Sequence, residues 1–267
     1  MSAPSSQQRL AWRTVAADAA RAASAFIAEK AHTRHALVWE EKSATDFVSE
    51  VDLGAEAMIR RHFEQAAPEI RVVGEELGGG GTEEGLVAIV DPLDGTTNFL
   101  HGFPNYCVSI CVALDGAPQA AVICDTARGG LYHATAGGGA FRDDTPLHVS
   151  TLTTPPRALI GTGFPFKDVT SADRYVRQLR TLMPLVAGMR RAGSAALDLT
   201  DVAQGRFDAF WELFLNPWDM AAATLLVREA GGRVTDLDGN DARLIGGPVV
   251  ASNGHLHDWL LEILQHA

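Results

Sequence analysis

With 267 residues, 46% hydrophobic and 21% charged, the chain has ordinary globular composition and enough length to bury a substantial core. Its net charge of −11 excludes a broad nucleic-acid surface, which needs clustered Lys and Arg, and obliges any anionic ligand to recruit a cation. Cys107, Cys111 and Cys124 form no CxxC pair, the opening MSAPSSQQ lacks the pattern of a secretory signal, and no apolar stretch reaches membrane-spanning length, so a cytoplasmic protein with no membrane partner is expected.

The alanine-rich stretch 7–30 repeats Leu10, Val15, Ala19, Ala23, Phe26 and Ile27 at helical intervals and predicts an amphipathic opening helix. A second helix is expected over 53–65, with Met58, Ile59 and Phe63 inward and Asp52 as its N-cap. Short buried strands at 70–73 and 86–90 flank the glycine run 78–81, which reads as a mobile surface loop. Residues 106–114 are apolar at nearly every position, with Cys107, Ser109 and Cys111 on one face and Val108, Ile110 and Val112 on the other. Such a strand is covered on both sides. Asp115-Gly116 signals a hairpin into a strand at 119–124, with another near 131–134. Strands near 158–161, 207–211 and 248–251 and helices near 172–183, 195–203, 218–230 and 256–264 complete the chain. No internal repeat interrupts it, so 1–267 is expected to be one domain of two stacked lobes, 8–150 and 151–267.

The stretch "DPLDGTTNF" at 91–99 gathers two acids at the end of an apolar run. Asp91 stands at a strand end, Pro92 stiffens the exit, and Gly95 lets a ligand oxygen approach the backbone N–H groups, which suits phosphate. Further acids are scattered: Glu75 in "GEE", Asp46 and Asp52 in "DFVSEVD", Asp219 after Trp218. Each alone has an ordinary use as a helix cap or a solvated loop acid. Together in one cleft they would repel one another unless protonated or bridged by cations, and hard oxygen ligands select Mg²⁺. A cluster of two or three such ions would draw in the phosphate that a chain of this charge otherwise repels.

The motifs "GEE" at 74–76, "DPLDGTTNF" at 91–99 and "WDMAAA" at 218–223, with "KSATDFVSEVD" at 42–52, "GTGFP" at 161–165 and "RRAGSAALD" at 190–198, resemble the inositol monophosphatase family over about residues 8–260. That resemblance implies an α/β sugar-phosphatase fold of alternating α-β-α-β-α layers with two mixed or antiparallel sheets, in a homodimer. It implies metal ligands Glu75, Asp91, the Leu93 carbonyl, Asp94 and Asp219, with Asp91 bridging two ions. Thr96, paired with Asp52, would orient the attacking water; Glu75 also serves catalysis, Asp46 supports it from behind, and Lys42 matches a basic position in the N-terminal segment. Phosphate would lie on the Gly95 and Thr96 amides beside Asp94 and Asp219, with Gly193, Ser194, Ala195 and Glu212 walling the rest of the substrate.

The reaction so implied is Mg²⁺-dependent hydrolysis of a small phosphorylated polyol or sugar by direct attack of metal-activated water, with inhibition by Li⁺. Myo-inositol 1-phosphate leads the candidates, since Thr97-Asn98-Phe99 resembles the inositol branch; histidinol phosphate, fructose 1,6-bisphosphate and adenosine 3′,5′-bisphosphate follow. Ser49 stands where the family usually has Thr, and 213–217 is more apolar than an inositol-shaped site requires. Two rivals differ in kind. An aspartyl-phosphate enzyme would use the DxDGT motif, but two residues separate the acids here; a non-catalytic binding or regulatory protein would have no need of the whole acid set. Of the histidines, His101 alone stands near the central motif, where an ordinary surface role is the simpler reading.

Overall fold

A computed structural model describes residues 3–34, 39–43, 46–166 and 169–267, with backbone alone at 39–43 and 46–48; the side chains of Lys42 and Asp46 therefore lie outside the described residues. Helix α1 (Ser6–Ala31) begins with a capping box, Gln8 N–H donating to Ser5 Oγ and Ser5 N–H to Gln8 Oε1, and buries Ala16, Ala20, Ala23 and Ile27. An antiparallel pair, β1 (Trp39–Ser43) and β2 (Asp46–Ser49), leads into α2 (Glu50–Ala66). Here the expected cap is corrected: Ser49, not Asp52, is the N-cap, and Asp52 is the third helical residue. The Asp52 carboxylate reaches back to accept from Ser49 N–H at 2.9 Å, so a Ser-x-x-Asp box starts the helix earlier than the apolar periodicity does.

The next strands, β3 (Arg71–Gly74) and β4 (Leu86–Asp94), are parallel. After α3 (Thr96–His101) come β5 (Cys107–Leu114), β6 (Ala117–Asp125), β7 (Leu131–Thr135), β8 (Gly139–Arg142) and β9 (Thr145–Pro146), which extend the sheet antiparallel in chain order to seven strands. Asp115 and Gly116 both take positive φ, 48° and 75°, the turn that matches strand twist in a two-residue hairpin. The glycine run does not hang free: the Arg60 guanidinium donates to Gly78 O and that of Arg71 to the carbonyls of Gly79 and Gly81.

The second half supplies β10 (Leu159–Thr162), α4 (Ala172–Leu182), β11 (Gly188–Arg190), α5 (Ala195–Ala203), β12 (Ala209–Leu215), α6 (Pro217–Glu229), β13 (Arg233–Thr235), β14 (Gly247–Ser252) and α7 (His257–His266). Its five strands run in the order β11-β10-β12-β14-β13, a mixed sheet. Strand β12 begins two residues later than the apolar run because Asp208 is a tether, accepting from Ser150 Oγ at 2.6 Å and Leu159 N–H at 2.8 Å.

Three apolar clusters turn these elements into five layers. Val108, Ile110 and Val112 of β5 pack with α1 and α2, while Cys107 and Cys111 pack with α5 and α6, so both faces of this strand are covered as expected. The α5 and α6 layer meets Phe210, Val249 and Ala251 of the second sheet, whose other face, Ile160, Trp211 and Val250, packs on Tyr175 of α4 and Leu260 of α7. Truncating a fully buried member such as Ile110 to Ala costs ~2–5 kcal/mol. Cys107, Cys111 and Cys124 are buried free thiols.

Candidate active site

Strand β4 does not stop before Asp91. It bulges between Asp91, opposite Ser109, and Asp94, opposite Cys107, with Pro92 inside the bulge, where the missing N–H breaks no ladder bond. The bulge turns Asp91, Leu93 and Asp94 toward a cavity of about 430 Å³. Gly95 then takes φ 98°, and a Cβ there would lie 2.8 Å from Asn105 O, so only glycine makes this turn into α3.

Three carboxylates from separate elements meet on the cavity floor. Glu75 leaves β3, its N–H donating to Val90 O at 3.1 Å; Asp91 comes from β4; Asp219 is the third residue of α6 and also caps it, accepting from Asn216 N–H at 2.6 Å. One oxygen from each lies within 4.8 Å of the other two. At an effective dielectric of about 20, two unit charges that close repel by on the order of 3 kcal/mol. Burial pushes the Asp91 carboxyl well above the ordinary carboxylate range, and the charges of Glu75, Asp94 and Asp219 add to the rise. Among the described residues the donor set is all oxygen, which is what a hard divalent ion requires, so the residues present fit Mg²⁺.

Behind the floor, α2 holds Glu75 in place. The fully buried Glu56 carboxylate accepts from Glu76 N–H at 2.8 Å and Leu77 N–H at 3.2 Å and is gripped by Arg60 at 2.7 and 2.9 Å. Beside the floor, Thr96 Oγ1 lies 2.9 Å from Asp52 Oδ1 and 3.1 Å from Leu93 O. Asp52 Oδ2 takes Ser49 N–H and Oγ–H, and burial raises the Asp52 pKa while these bonds oppose the rise.

Asp94 lines the same cavity, yet its Oδ2 is committed to Ser194 Oγ at 2.6 Å and Ala196 N–H at 2.8 Å. That ties the β4 bulge to the start of α5, where Ser194 is the N-cap. Asn98 makes a second tie, its amide donating to Asn105 O, Ala192 O and Gly193 O. Glu212 sits mid-strand in β12 rather than at its end; its carboxylate occupies the space where a Cβ on Gly163 would be. Burial and then Asp219 push the Glu212 carboxyl well above its usual range, against the pull of Arg191. The mouth carries Phe164, Phe166, Leu213 and Phe214 together with Arg191, whose guanidinium lies over the two former rings at 5.5 and 5.1 Å.

The sequence model of the inositol monophosphatase family matches residues 9–267. The chain belongs to that family. It is 45% identical over 228 residues to an inositol-1-monophosphatase of Rhizobium meliloti, covering 84% of this chain and 85% of the relative. It is 42% identical over 256 residues, 94% of each chain, to the Nus factor SuhB of Pseudomonas aeruginosa. Among solved structures, the extragenic suppressor protein suhB of Bartonella henselae superposes with a TM-score of 0.87 at 38% identity, covering 93% of this chain and 96% of that one.

Of the residues the motifs singled out, Glu75, Asp91, Leu93, Asp94, Gly95, Thr96, Gly193, Ser194, Ala195, Glu212 and Asp219 all line this one cavity of the inositol monophosphatase chain, and Asp52 touches it through Thr96. His101 is exposed and outside the lining. Among the lining residues given no role on sequence are Phe164, Phe166, Arg191 and Asp198. Glu56 was also passed over, although an acid four residues after Asp52, on the same helix face as Ile59 and Phe63, is a signal of a buried partner.

Proposed function

We propose that this chain is a Mg²⁺-dependent phosphate monoesterase acting on a small phosphorylated polyol, with myo-inositol 1-phosphate the first candidate. The observation that carries this reading is the meeting of Glu75, Asp91 and Asp219 oxygens within 4.8 Å on a cavity floor, with the Thr96 and Asp52 pair beside them. Glu75, Asp91, Asp94, Asp219 and the Leu93 carbonyl would hold two or three Mg²⁺ ions. When bound, Mg²⁺ supplies charge neutralisation at the phosphate and makes water a stronger acid.

The chain's own groups then orient and move protons. Asp52 accepts the Thr96 hydroxyl proton, which leaves the lone pairs of Thr96 Oγ1 facing the cavity to accept from a water and aim its oxygen at phosphorus. The water oxygen bonds to phosphorus as the ester P–O bond breaks; the water gives up one proton through Thr96 Oγ1 to Asp52, and the departing oxygen takes one from solvent and leaves as an alcohol. The amides of Gly95 and Thr96 receive the phosphate oxygens, and Glu212 accepts from substrate hydroxyls. Apart from Asp219, the residues before 150 thus supply the chemistry and those after it the substrate wall.

Phosphate release in Mg²⁺ from a panel of myo-inositol 1-phosphate, histidinol phosphate, fructose 1,6-bisphosphate and adenosine 3′,5′-bisphosphate tests the reading. Asp94→Asn is expected to lose this activity; undiminished Mg²⁺-dependent release would refute the site. The same reading carries inhibition by Li⁺, a homodimer measurable by sedimentation, and a reducing cytoplasmic setting that suits three buried thiols. A second reading, as a factor acting on a partner macromolecule, is favoured by the name of the Pseudomonas aeruginosa relative. A wild-type chain inert toward the whole panel would favour it.

A further inference from the structure

The mechanism leaves one buried carboxyl without a task. Asp198 of α5 is 2% exposed, lines the cavity, and its Oδ1 meets no hydrogen-bond donor among the described residues. Asp201, three residues on, shows how this helix satisfies an acid: its Oδ1 takes Gln204 Nε2 at 2.6 Å and Arg206 at 3.3 Å. Nothing comparable reaches Asp198 Oδ1. The helix around it is apolar, with Ala196, Leu197, Leu199 and Val202 all buried, so a leucine there would satisfy folding better than an unpaired acid. Asp198 also stands among like charges, Asp94, Asp201 and Glu212, with Arg191 and Arg128 the opposing cations. A position that costs stability and faces the substrate space is explained by something that arrives in that space.

We infer that Asp198 is a substrate-binding residue whose carboxyl pairs with a hydroxyl of the ester's alcohol portion, on the same wall as Glu212. Two carboxyl groups on one wall select an alcohol with several free hydroxyls over a simple aryl or alkyl alcohol. This rests on the phosphatase reading given above. Asp198 is not needed to hold Asp94, whose partners on α5 are Ser194 and the Ala196 amide.

The experiment compares Asp198→Asn and Asp198→Ala with the wild type on myo-inositol 1-phosphate and on phenyl phosphate, which has no hydroxyl, in saturating Mg²⁺. Asp198→Ala is expected to lose about 10- to 100-fold in kcat/KM on the inositol ester, mostly through KM, and no more than about threefold on phenyl phosphate. Asp198→Asn, which keeps the shape and one acceptor, should lose less. Both variants should melt at or above the wild-type temperature, since an unpaired buried acid has been removed. Equal losses on both esters, a lowered melting temperature in both variants, or no loss on either ester would overturn the assignment and leave the phosphatase reading intact. A wild type that cleaves phenyl phosphate but not the inositol ester would overturn it as well. A wild type that cleaves neither would sink the phosphatase reading, and this inference with it.

Discussion

The floor of the cavity and its mouth are held by opposite means. On the floor, Asp91, Leu93, Asp94 and Thr96 lie within six consecutive residues of one bulged strand and its turn, and Glu75 is fixed through its own N–H and through Glu56 beneath the two residues that follow. At the mouth, Phe164, Phe166 and Phe214 are 37%, 51% and 53% exposed, and Arg191 rests against two of these rings. Charge must be placed to within a fraction of an ångström before it helps a reaction, so backbone geometry sets the floor. A rim that meets varying alcohols gains from side chains able to repack.

The comparison breaks first at Asp91. Asp91→Asn is expected to lower kcat by at least about a thousandfold, because the residue joining the cluster loses a charge. The metal-free variant should also melt higher than the wild type. Asp91 has a folded pKa raised above its unfolded value of about 3.9, so the proton is held more tightly in the native state. Stability from that proton is fully present below the unfolded value and is lost as pH rises through the folded one. Asp198 and Glu212 are shifted the same way. The metal-free wild type should therefore melt progressively lower as pH rises through these raised folded values, with Mg²⁺ restoring more at the higher pH because it needs deprotonated ligands. Staying above about pH 6.5 avoids His257, whose pKa of about 4 penalises folding in acid.

Thr96→Ala probes the proton-handling pair on the same floor. It removes the hydroxyl that Asp52 holds and is expected to lower kcat about 10²- to 10³-fold, within the usual range for a positioned acid or base. The Mg²⁺-induced rise in melting temperature should stay near the wild-type value, since the three clustered carboxylates remain. Loss of that rise would mean that Thr96 acts on the cluster and not on water.

A milder change tests whether the floor is preset from behind. Glu56→Gln retains the shape but turns one acceptor into a donor facing Arg60 and the Glu76 and Leu77 amides. The Mg²⁺ concentration for half-maximal stabilisation in thermal melts is expected to rise about 10- to 100-fold, the usual cost of losing a partner behind a metal ligand. An unchanged value would show that Glu75 is held without help from Glu56.

These two regions also differ in how far they could be read from sequence. Both faces of β5 follow from its apolar pattern, which reports local burial directly, whereas the five layers were implied by the family resemblance of the motifs. The acids of the floor stand out because Asp91 and Asp94 break an apolar run and sit in dense local motifs. The cap at Ser49 was obscured because the apolar pattern of α2 begins after its hydrogen-bonded start. The bulge in β4 and the late start of β12 depend on partners far along the chain, Cys107 for one and Ser150 and Leu159 for the other. Asp198 and Arg191 stand within the motif at 190–198, but their roles were not legible there for the same reason, since their neighbours at the cavity come from β4, β12 and the stretch after β10.

The smallest effect belongs to the mouth. Phe166→Ala removes the nearer of the two rings under Arg191 and leaves Phe164. An exposed contact of this kind contributes about 0.5–1 kcal/mol, so KM for a phosphorylated polyol should change by about two- to fivefold with kcat held. The change should differ in size between myo-inositol 1-phosphate and a bulkier ester such as adenosine 3′,5′-bisphosphate, because the ring meets the alcohol portion and not the phosphate. A fall in kcat equal for both esters would show that the rim acts on the floor, and the division between a fixed floor and an adaptable mouth would fail. Unequal KM shifts at constant kcat would place substrate choice in the exposed rings, where an exchange of one aromatic side chain retunes recognition without disturbing the acids beneath.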